Sequence, residues 1–132
     1  RDIGPLVGAI DQGTSSTRFI VFSATEGTVI TYHQIEVRRV YPHEGWVEQD
    51  PRELFDSVLE TVDVVFQKLH QLEIDTSQFK CIGLTNQRES AIVWDRVTGW
   101  YNTAQSIDSL SLIDIDAINL HNQFRKSFFS AI

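Results

Sequence analysis

The sequence lacks the features that mark disulfide-rich, membrane-spanning and secreted proteins. Cys81 is the single cysteine among 132 residues, which excludes an intrachain disulfide and a cysteine cluster for a metal. No run of about 18 apolar residues occurs, so the sequence predicts no membrane span. The N-terminus also lacks the basic-then-apolar order of a signal peptide. By elimination we predict a cytoplasmic location. Because the first residue is Arg1 rather than Met, we expect a processed chain or a fragment.

Basic residues are scarce, with 11 Lys and Arg against 18 Asp and Glu and a net charge of −7. A broad nucleic-acid surface needs clustered Lys and Arg, so nucleic acid is not expected as a partner. A nucleotide remains compatible with this charge, because a nucleotide site depends on a few local groups. The four histidines show no metal-ligand spacing.

Hydrophobic residues make up 42% of the 132 residues, which is enough for one domain with a core. Short apolar runs at residues 6–10 and 18–22 are typical of strands. Residues 29–38 then alternate apolar and polar side chains after a turn at residues 25–28. The opening of the chain is therefore predicted to be a three-stranded antiparallel meander.

The loop at the first hairpin, residues 11–18, has an inventory suited to a metal-bound phosphate. It offers the Asp11 carboxylate, one glycine, four hydroxyls and the Arg18 guanidinium. The alternative is a polar hairpin turn, because Gly, Ser, Thr and Asp are ordinary turn residues. The loop is neither a Walker nor a Rossmann motif, because Gly-Lys-Ser/Thr is absent and no helix follows the glycine.

A helix is predicted to begin after the surface connection of residues 39–49, in which Trp46 is expected to anchor the loop on the core. Asp50 can cap the helix, Pro51 suits the first helical position, and Glu53 stands where a capping box places a carboxylate. Apolar residues then recur at three- and four-residue spacings, which predicts a helix lying on a sheet. They are Leu54, Phe55, Val58, Leu59, Val62, Val65, Phe66 and Leu69.

The next strand, residues 81–84, is uniformly apolar and is predicted to be central in the sheet, with Cys81 buried as a small residue. Residues 91–95 are predicted to form a further strand, followed by a turn at residues 96–99. The expected fold is α/β, a mixed sheet that opens with an antiparallel meander and carries a helix on one face.

A second polar loop follows the apolar strand directly and contains Arg88 and Glu89. Ligand-contacting residues tend to follow strand ends in α/β sheets. The guanidinium can donate to adjacent hydroxyls of a polyol while the carboxylate accepts from them. The alternative is a surface ion pair that holds a turn. Such a pair contributes little to the stability of the fold.

Three motifs together resemble the N-terminal part of the glycerol kinases in the FGGY family of carbohydrate kinases. They are residues 10–18, residues 41–51 and residues 83–89, in the right order and spacing, supported by Val93-Trp94-Asp95, Thr98-Gly99 and Tyr101-Asn102. The resemblance covers residues 5–103. Within the family, Asn86-Gln87-Arg88-Glu89 favours the glycerol kinases over the pentose and gluconate kinases.

The resemblance implies an actin/hexokinase-like (ribonuclease H-like) ATPase fold, with two domains flanking a cleft. The implied reaction converts ATP and glycerol to ADP and glycerol 3-phosphate. Asp11 would hold Mg²⁺ directly or through water, and Thr14, Ser15 and Arg18 would contact the nucleotide phosphates. Arg88 and Glu89 would bind glycerol hydroxyls.

The resemblance also places the catalytic aspartate in later sequence, so no catalytic residue is predicted within this chain and no useful kinase activity is expected from it alone. Residues 104–132 form a divergent tail, and the tryptophan that the family has after Tyr101-Asn102 is absent. A truncated or alternatively spliced product is one hypothesis. The chain is then a kinase fragment, a non-catalytic phosphate-binding or subunit-association module that binds full-length kinase subunits, or a partly folded product that aggregates through exposed apolar surface.

Overall fold

The computed structural model describes residues 3–87, which fall into two units: residues 3–39 with 50–87, and residues 40–49. The predicted strand at residues 91–95, the turn after it, Arg88, Glu89 and the divergent tail lie outside the described residues. In the shorter unit, Val40 and Glu48 form a β-bridge, and the rings of His43 and Trp46 meet edge to face at 4.8 Å. The anchoring role expected for Trp46 stays a prediction.

The predicted antiparallel meander is confirmed. β1 is Leu6–Gln12, β2 is Ser16–Ser23 and β3 is Val29–Glu36, and β2 pairs antiparallel with both of its neighbours. Alternate residues of β1 and β2 are buried, as a strand with one face on the core requires.

Phe19 of β2 is fully buried and belongs to a cluster of three aromatic rings, in which Phe66 and Phe79 lie 5.5 Å apart. Its ring centroid lies 6.5 Å from those of Phe66 and Phe79. Gly8 of β1 makes room for this ring, because a Cβ added there would lie 2.7 Å from Phe19 Cε2. The missing side chain at Gly8 is therefore a packing requirement of the core.

Helix α1, Pro51–Gln71, begins as predicted, with the Asp50 carboxylate accepting from the Arg52 amide at 2.8 Å. The predicted capping role of Glu53 is replaced by a contact outside the helix. Its carboxylate accepts from the Arg38 backbone N–H at 3.2 Å and from the Arg38 guanidinium at 3.1 Å. These hydrogen bonds lower the pKa of Glu53 and raise that of Arg38. The pair joins the chain leaving β3 to the first turn of α1.

The buried face of α1 differs in part from the predicted apolar stripe. Leu59 is 46% exposed, whereas the hydroxyl residues Ser57 and Thr61 are buried beside Val58, Val65 and Leu69. Ser57 Oγ donates to the Leu54 carbonyl at 2.6 Å and Thr61 Oγ1 to the Val58 carbonyl at 2.8 Å. Each hydroxyl hydrogen is accepted by a carbonyl of the helix itself, which offsets the cost of burying it.

A short 3₁₀ turn, Thr76–Gln78, leads into β4, Phe79–Asn86, which pairs parallel with β1. The described strands have the order β3-β2-β1-β4, so the predicted central position of this strand is wrong within the described sheet. Cys81, predicted to be buried, is exposed, and Leu84 is 48% exposed. Within the described residues, α1 packs mainly on β2 and β3, and its contact with β4 includes the stacking of Phe66 on Phe79 at the start of that strand. An apolar run predicts a strand but does not reveal which element covers it.

Candidate functional site

The β1–β2 turn presents two of the predicted phosphate-binding residues at its tip. β1 ends at Gln12 and β2 begins at Ser16, so Thr14 and Ser15 lie in the turn, and both are exposed. The Gly13 amide donates to the Ser16 carbonyl at 2.8 Å, and the Ser15 carbonyl accepts from the Val37 amide at 3.0 Å. These bonds hold the turn at both sides, with the exposed residues Thr14 and Ser15 at its tip.

Asp11 and Arg18 are cross-strand partners at the mouth of this hairpin. Arg18 Nη2 lies 3.3 Å from Asp11 Oδ2, and each side chain is 42% exposed. In contrast, Arg18 Nε is buried without a hydrogen-bond partner among the described residues. The structure therefore brings the predicted metal residue and the predicted phosphate-binding guanidinium together, with donor capacity left over on the guanidinium.

In the two strands flanking the turn, one face packs on α1 and the opposite face carries the candidate ligand-binding side chains. Gln12 and Thr17 are also cross-strand partners, and both are buried on the face that packs on α1. Thr17 Oγ1 and Ser57 Oγ of α1 lie 2.7 Å apart in a buried hydrogen bond. Because side chains alternate along a strand, Asp11 and Arg18 project from the other face.

The end of β4 lies beside the end of β1. Their parallel register aligns Asp11 with Thr85 and Gln12 with Asn86. Gln87, which follows β4, donates from Nε2 to Gln12 Oε1 at 3.3 Å. The predicted polyol residues Arg88 and Glu89 lie outside the described residues, but the chain leads into them from this edge of the sheet.

Sequence reasoning missed Gln12 and the Thr17–Ser57 pair as parts of this site. Gln12 occupies the buried-face position that follows Leu6, Gly8 and Ile10 along β1. The sequence did contain a signal for Gln12: it is a polar residue at a position that the alternation of β1 predicts to be buried. A buried amide needs hydrogen-bond partners, so such a residue indicates a polar contact.

The donor set of the turn fits a magnesium-bound phosphate. Within residues 3–87, no three His, Cys, Asp or Glu side chains are grouped to hold a metal ion, so an all-protein cage is not formed there. Mg²⁺ usually keeps several waters and is held by one or two carboxylates together with substrate phosphates. The single Asp11 carboxylate suits that mode, and the Thr14 and Ser15 hydroxyls with the Arg18 guanidinium suit phosphate oxygens.

A separate concavity of about 800 Å³ lies along β3, at the opposite edge of the sheet from β4. It is lined by β3 residues and by Lys68, whose Nζ donates to the Tyr32 carbonyl at 2.7 Å. Among the described site residues, Asp11, Thr14, Ser15 and Arg18 do not line it. No helix within residues 3–87 is both long and apolar enough to cross a membrane.

The four-stranded mixed sheet with its helix is the fold of actin/hexokinase-like sugar kinases. Xylulose kinase from Lactobacillus acidophilus superposes with a TM-score of 0.65 at 22% identity, covering 76% of this chain and 19% of that one. Glycerol kinase from Plasmodium falciparum with ADP superposes with a TM-score of 0.63 at 28% identity, covering 79% of this chain and 21% of that one. The predicted fold class is confirmed.

The chain belongs to the FGGY family of carbohydrate kinases, since the model of that family's N-terminal domain matches residues 6–110. A probable glycerol kinase of Caenorhabditis elegans is 44% identical over 128 residues, covering 91% of this chain and 26% of that protein. A probable glycerol kinase of Dictyostelium discoideum is 47% identical over 95 residues, covering 71% and 17%. The predicted resemblance is confirmed, and the chain spans between 17% and 26% of the length of these two relatives.

Proposed function

We propose that this chain is the N-terminal, phosphate-binding part of an ATP-dependent glycerol kinase, which converts ATP and glycerol to ADP and glycerol 3-phosphate. The observation that carries the proposal is the Asp11–Arg18 pair at the mouth of the first hairpin. Its carboxylate and guanidinium are 3.3 Å apart and each is 42% exposed. The exposed hydroxyl residues Thr14 and Ser15 lie in the turn between them. A half-exposed ion pair contributes little to stability, so ligand binding is a better reason for its placement.

Each side chain of this hairpin has a distinct proposed role. Asp11 holds Mg²⁺ directly or through water, and Thr14 and Ser15 donate hydroxyl hydrogens to phosphate oxygens. Arg18 donates through its guanidinium, which suits the planar geometry of phosphate oxygens. Bound magnesium would neutralise part of the phosphate charge.

Glycerol is the proposed second substrate, bound by Arg88 and Glu89. Two findings support this proposal. The Caenorhabditis elegans and Dictyostelium discoideum relatives are both probable glycerol kinases. In addition, β4 runs parallel to β1 and ends beside the proposed phosphate-binding turn, where Gln87, the residue before Arg88 in the sequence, contacts Gln12.

We expect no useful kinase activity from the 132-residue chain alone. Phosphoryl transfer depends on positioning nucleophile, phosphate and metal together. The family resemblance puts the catalytic aspartate and the adenine site in later sequence, and this chain covers at most 26% of the relatives described. A coupled assay that detects glycerol-dependent ADP formation, abolished by Asp11→Ala, would overturn this expectation.

Calorimetric titration of the chain with MgADP tests the phosphate site directly. We expect wild-type protein to bind MgADP and Arg18→Gln to bind about tenfold or more weakly, because a charge-assisted hydrogen bond is lost. Lys80→Gln is the control, since it removes one positive charge from an exposed side chain beside the start of β1, at the opposite end of that strand from the turn. Equally weak MgADP binding in both variants would mean that net charge alone explains the effect, and it would contradict the proposed site.

A second candidate function is association with full-length kinase subunits, and one observation favours it. β4 is exposed along most of its length, including Leu84 at 48%. Mixing the chain with a full-length glycerol kinase and measuring the mass by light scattering tests this function. A mixed complex supports association, and separate species contradict it. We also propose a cytoplasmic location, which cell fractionation would test.

A further inference from the structure

Gln12 is a buried polar side chain at the junction of three strands. It is the last residue of β1, is 8% exposed, and pairs with Thr17 of β2 on one side and Asn86 of β4 on the other. The preceding buried-face positions of β1 are apolar or glycine. Burying an amide there costs free energy unless its hydrogen bonds are made inside the protein.

The two ends of the Gln12 amide bond to two different loops. Nε2 donates to the Gly13 carbonyl at 2.8 Å, within the proposed phosphate-binding turn. Oε1 accepts from Gln87 Nε2 at 3.3 Å, one residue before the proposed glycerol-binding Arg88. One side chain thus bonds both to the proposed phosphate-binding turn and to Gln87, the last described residue after β4.

We propose that Gln12 is a positioning residue that couples the phosphate-binding turn to the loop after β4. This inference rests on the proposed function, because it needs a phosphate ligand at the turn. A phosphate that draws on the amides of the turn moves or stiffens the Gly13 carbonyl, and the Gln12 amide transmits that change to Gln87. By linkage, occupation of the loop after β4 affects phosphate binding by the same factor. Such coupling serves phosphoryl transfer, which requires both substrates in register.

The link itself is tested without any ligand, by a double-mutant cycle on urea unfolding of the 132-residue chain. Gln12→Met and Gln87→Met each keep side-chain length and remove the hydrogen bond. We expect the unfolding equilibrium constants to show a coupling factor of about three- to tenfold between the two substitutions, as for a typical hydrogen bond. A coupling factor near unity would overturn the link. Gln71→Met, at the exposed end of α1, is the matched control and is expected to show no coupling to Gln87→Met.

The positioning role is tested by amide chemical shifts during titration with MgADP. In wild-type protein we expect shifts at residues 13–15 and also at residues 85–87. In Gln87→Met, which leaves the Gln12–Gly13 bond intact, the shifts at residues 13–15 should remain and those at residues 85–87 should disappear. Gln12→Met should likewise keep the shifts at residues 13–15 and lose those at residues 85–87, and Gln71→Met should behave as wild type.

Two contrary results are distinguishable. If residues 85–87 still shift in both Gln12→Met and Gln87→Met, the coupling role is overturned while the phosphate site stands. If wild-type residues 13–15 show no shift with MgADP, the proposed phosphate site fails and the coupling role fails with it.

Discussion

The side-chain hydroxyls of Thr17 and Ser57 lie 2.7 Å apart in a fully buried hydrogen bond that joins β2 to α1. Thr17 is one residue before Arg18, and Ser57 also donates to the Leu54 carbonyl at 2.6 Å. The helix therefore supports the base of the proposed phosphate-binding hairpin through a polar contact as well as through apolar packing. The contact also fixes the direction in which β2 leaves the turn.

Breaking this buried contact should destabilise the protein. We expect Thr17→Val or Ser57→Ala to lower the free energy of unfolding by about 1–3 kcal/mol, because the remaining hydroxyl loses a buried partner. The double variant should lose less than the sum, since both polar groups are then removed. Urea unfolding measures all three, and Thr28→Val, on an exposed side chain, should change stability by less than about 0.5 kcal/mol. Strict additivity would contradict a direct interaction.

Gly8→Ala should be costly because the methyl group meets an aromatic ring. A Cβ at Gly8 would lie 2.7 Å from Phe19 Cε2 and 3.0 Å from Cζ, and Phe19 is packed against the rings of Phe66 and Phe79. We expect a loss of about 1–3 kcal/mol in the free energy of unfolding, as for an overpacked core. Gly83→Ala on the neighbouring strand is the control, because its Cβ would meet only a carbonyl oxygen at 4.0 Å. A similar loss in both variants would contradict a packing requirement that is specific to Gly8.

The Arg38–Glu53 pair should make stability depend on pH in the acid range. The hydrogen bond from Arg38 lowers the pKa of Glu53 in the folded state. Since the folded pKa lies below the unfolded one, the contribution is complete above the ordinary glutamate pKa of about 4.3 and is lost as the pH falls through the folded pKa. Glu53→Gln should therefore lower the melting temperature at neutral pH, and its difference from wild type should vanish in stronger acid. The exposed Glu60→Gln should show no such convergence.

Lys68 should protect the exposed edge of the sheet. Its ammonium group donates to the Tyr32 carbonyl of β3 at 2.7 Å, where an incoming strand would otherwise pair. Lys68→Met should therefore increase self-association, measured by light scattering at rising protein concentration. Arg52→Met removes an equal charge from the exposed start of α1 and should leave the protein as wild type. Equal aggregation of the two variants would contradict a specific edge effect.

The elements with strong local signals could be predicted from the sequence. Short apolar runs predicted β1 and β2, alternation predicted β3, and Asp50 with Pro51 predicted the start of α1. Features decided by tertiary contacts could not be predicted. The carboxylate of Glu53 accepts from Arg38, fifteen residues away, and the apolar β4 lies at the edge of the described sheet.

The candidate site could likewise be predicted only in part from the sequence. The inventory of residues 11–18 pointed to phosphate and metal, and the structure brings Asp11 and Arg18 together across the hairpin. The role of Gln12 depends on the parallel pairing of β1 with β4, which joins residues 75 positions apart. No local sequence pattern contains that pairing.

The most direct test of the proposed site compares ADP binding with and without Mg²⁺ in wild type, Asp11→Asn and the exposed control Asp63→Asn. We expect Mg²⁺ to strengthen ADP binding to wild type and to Asp63→Asn. In Asp11→Asn, Mg²⁺ should give no such gain, while Mg²⁺-free ADP should bind at least as well as to wild type, because Arg18 is released from its carboxylate partner. An equal gain from Mg²⁺ in wild type and Asp11→Asn would contradict the assignment of Asp11 and of the hairpin as a metal-phosphate site.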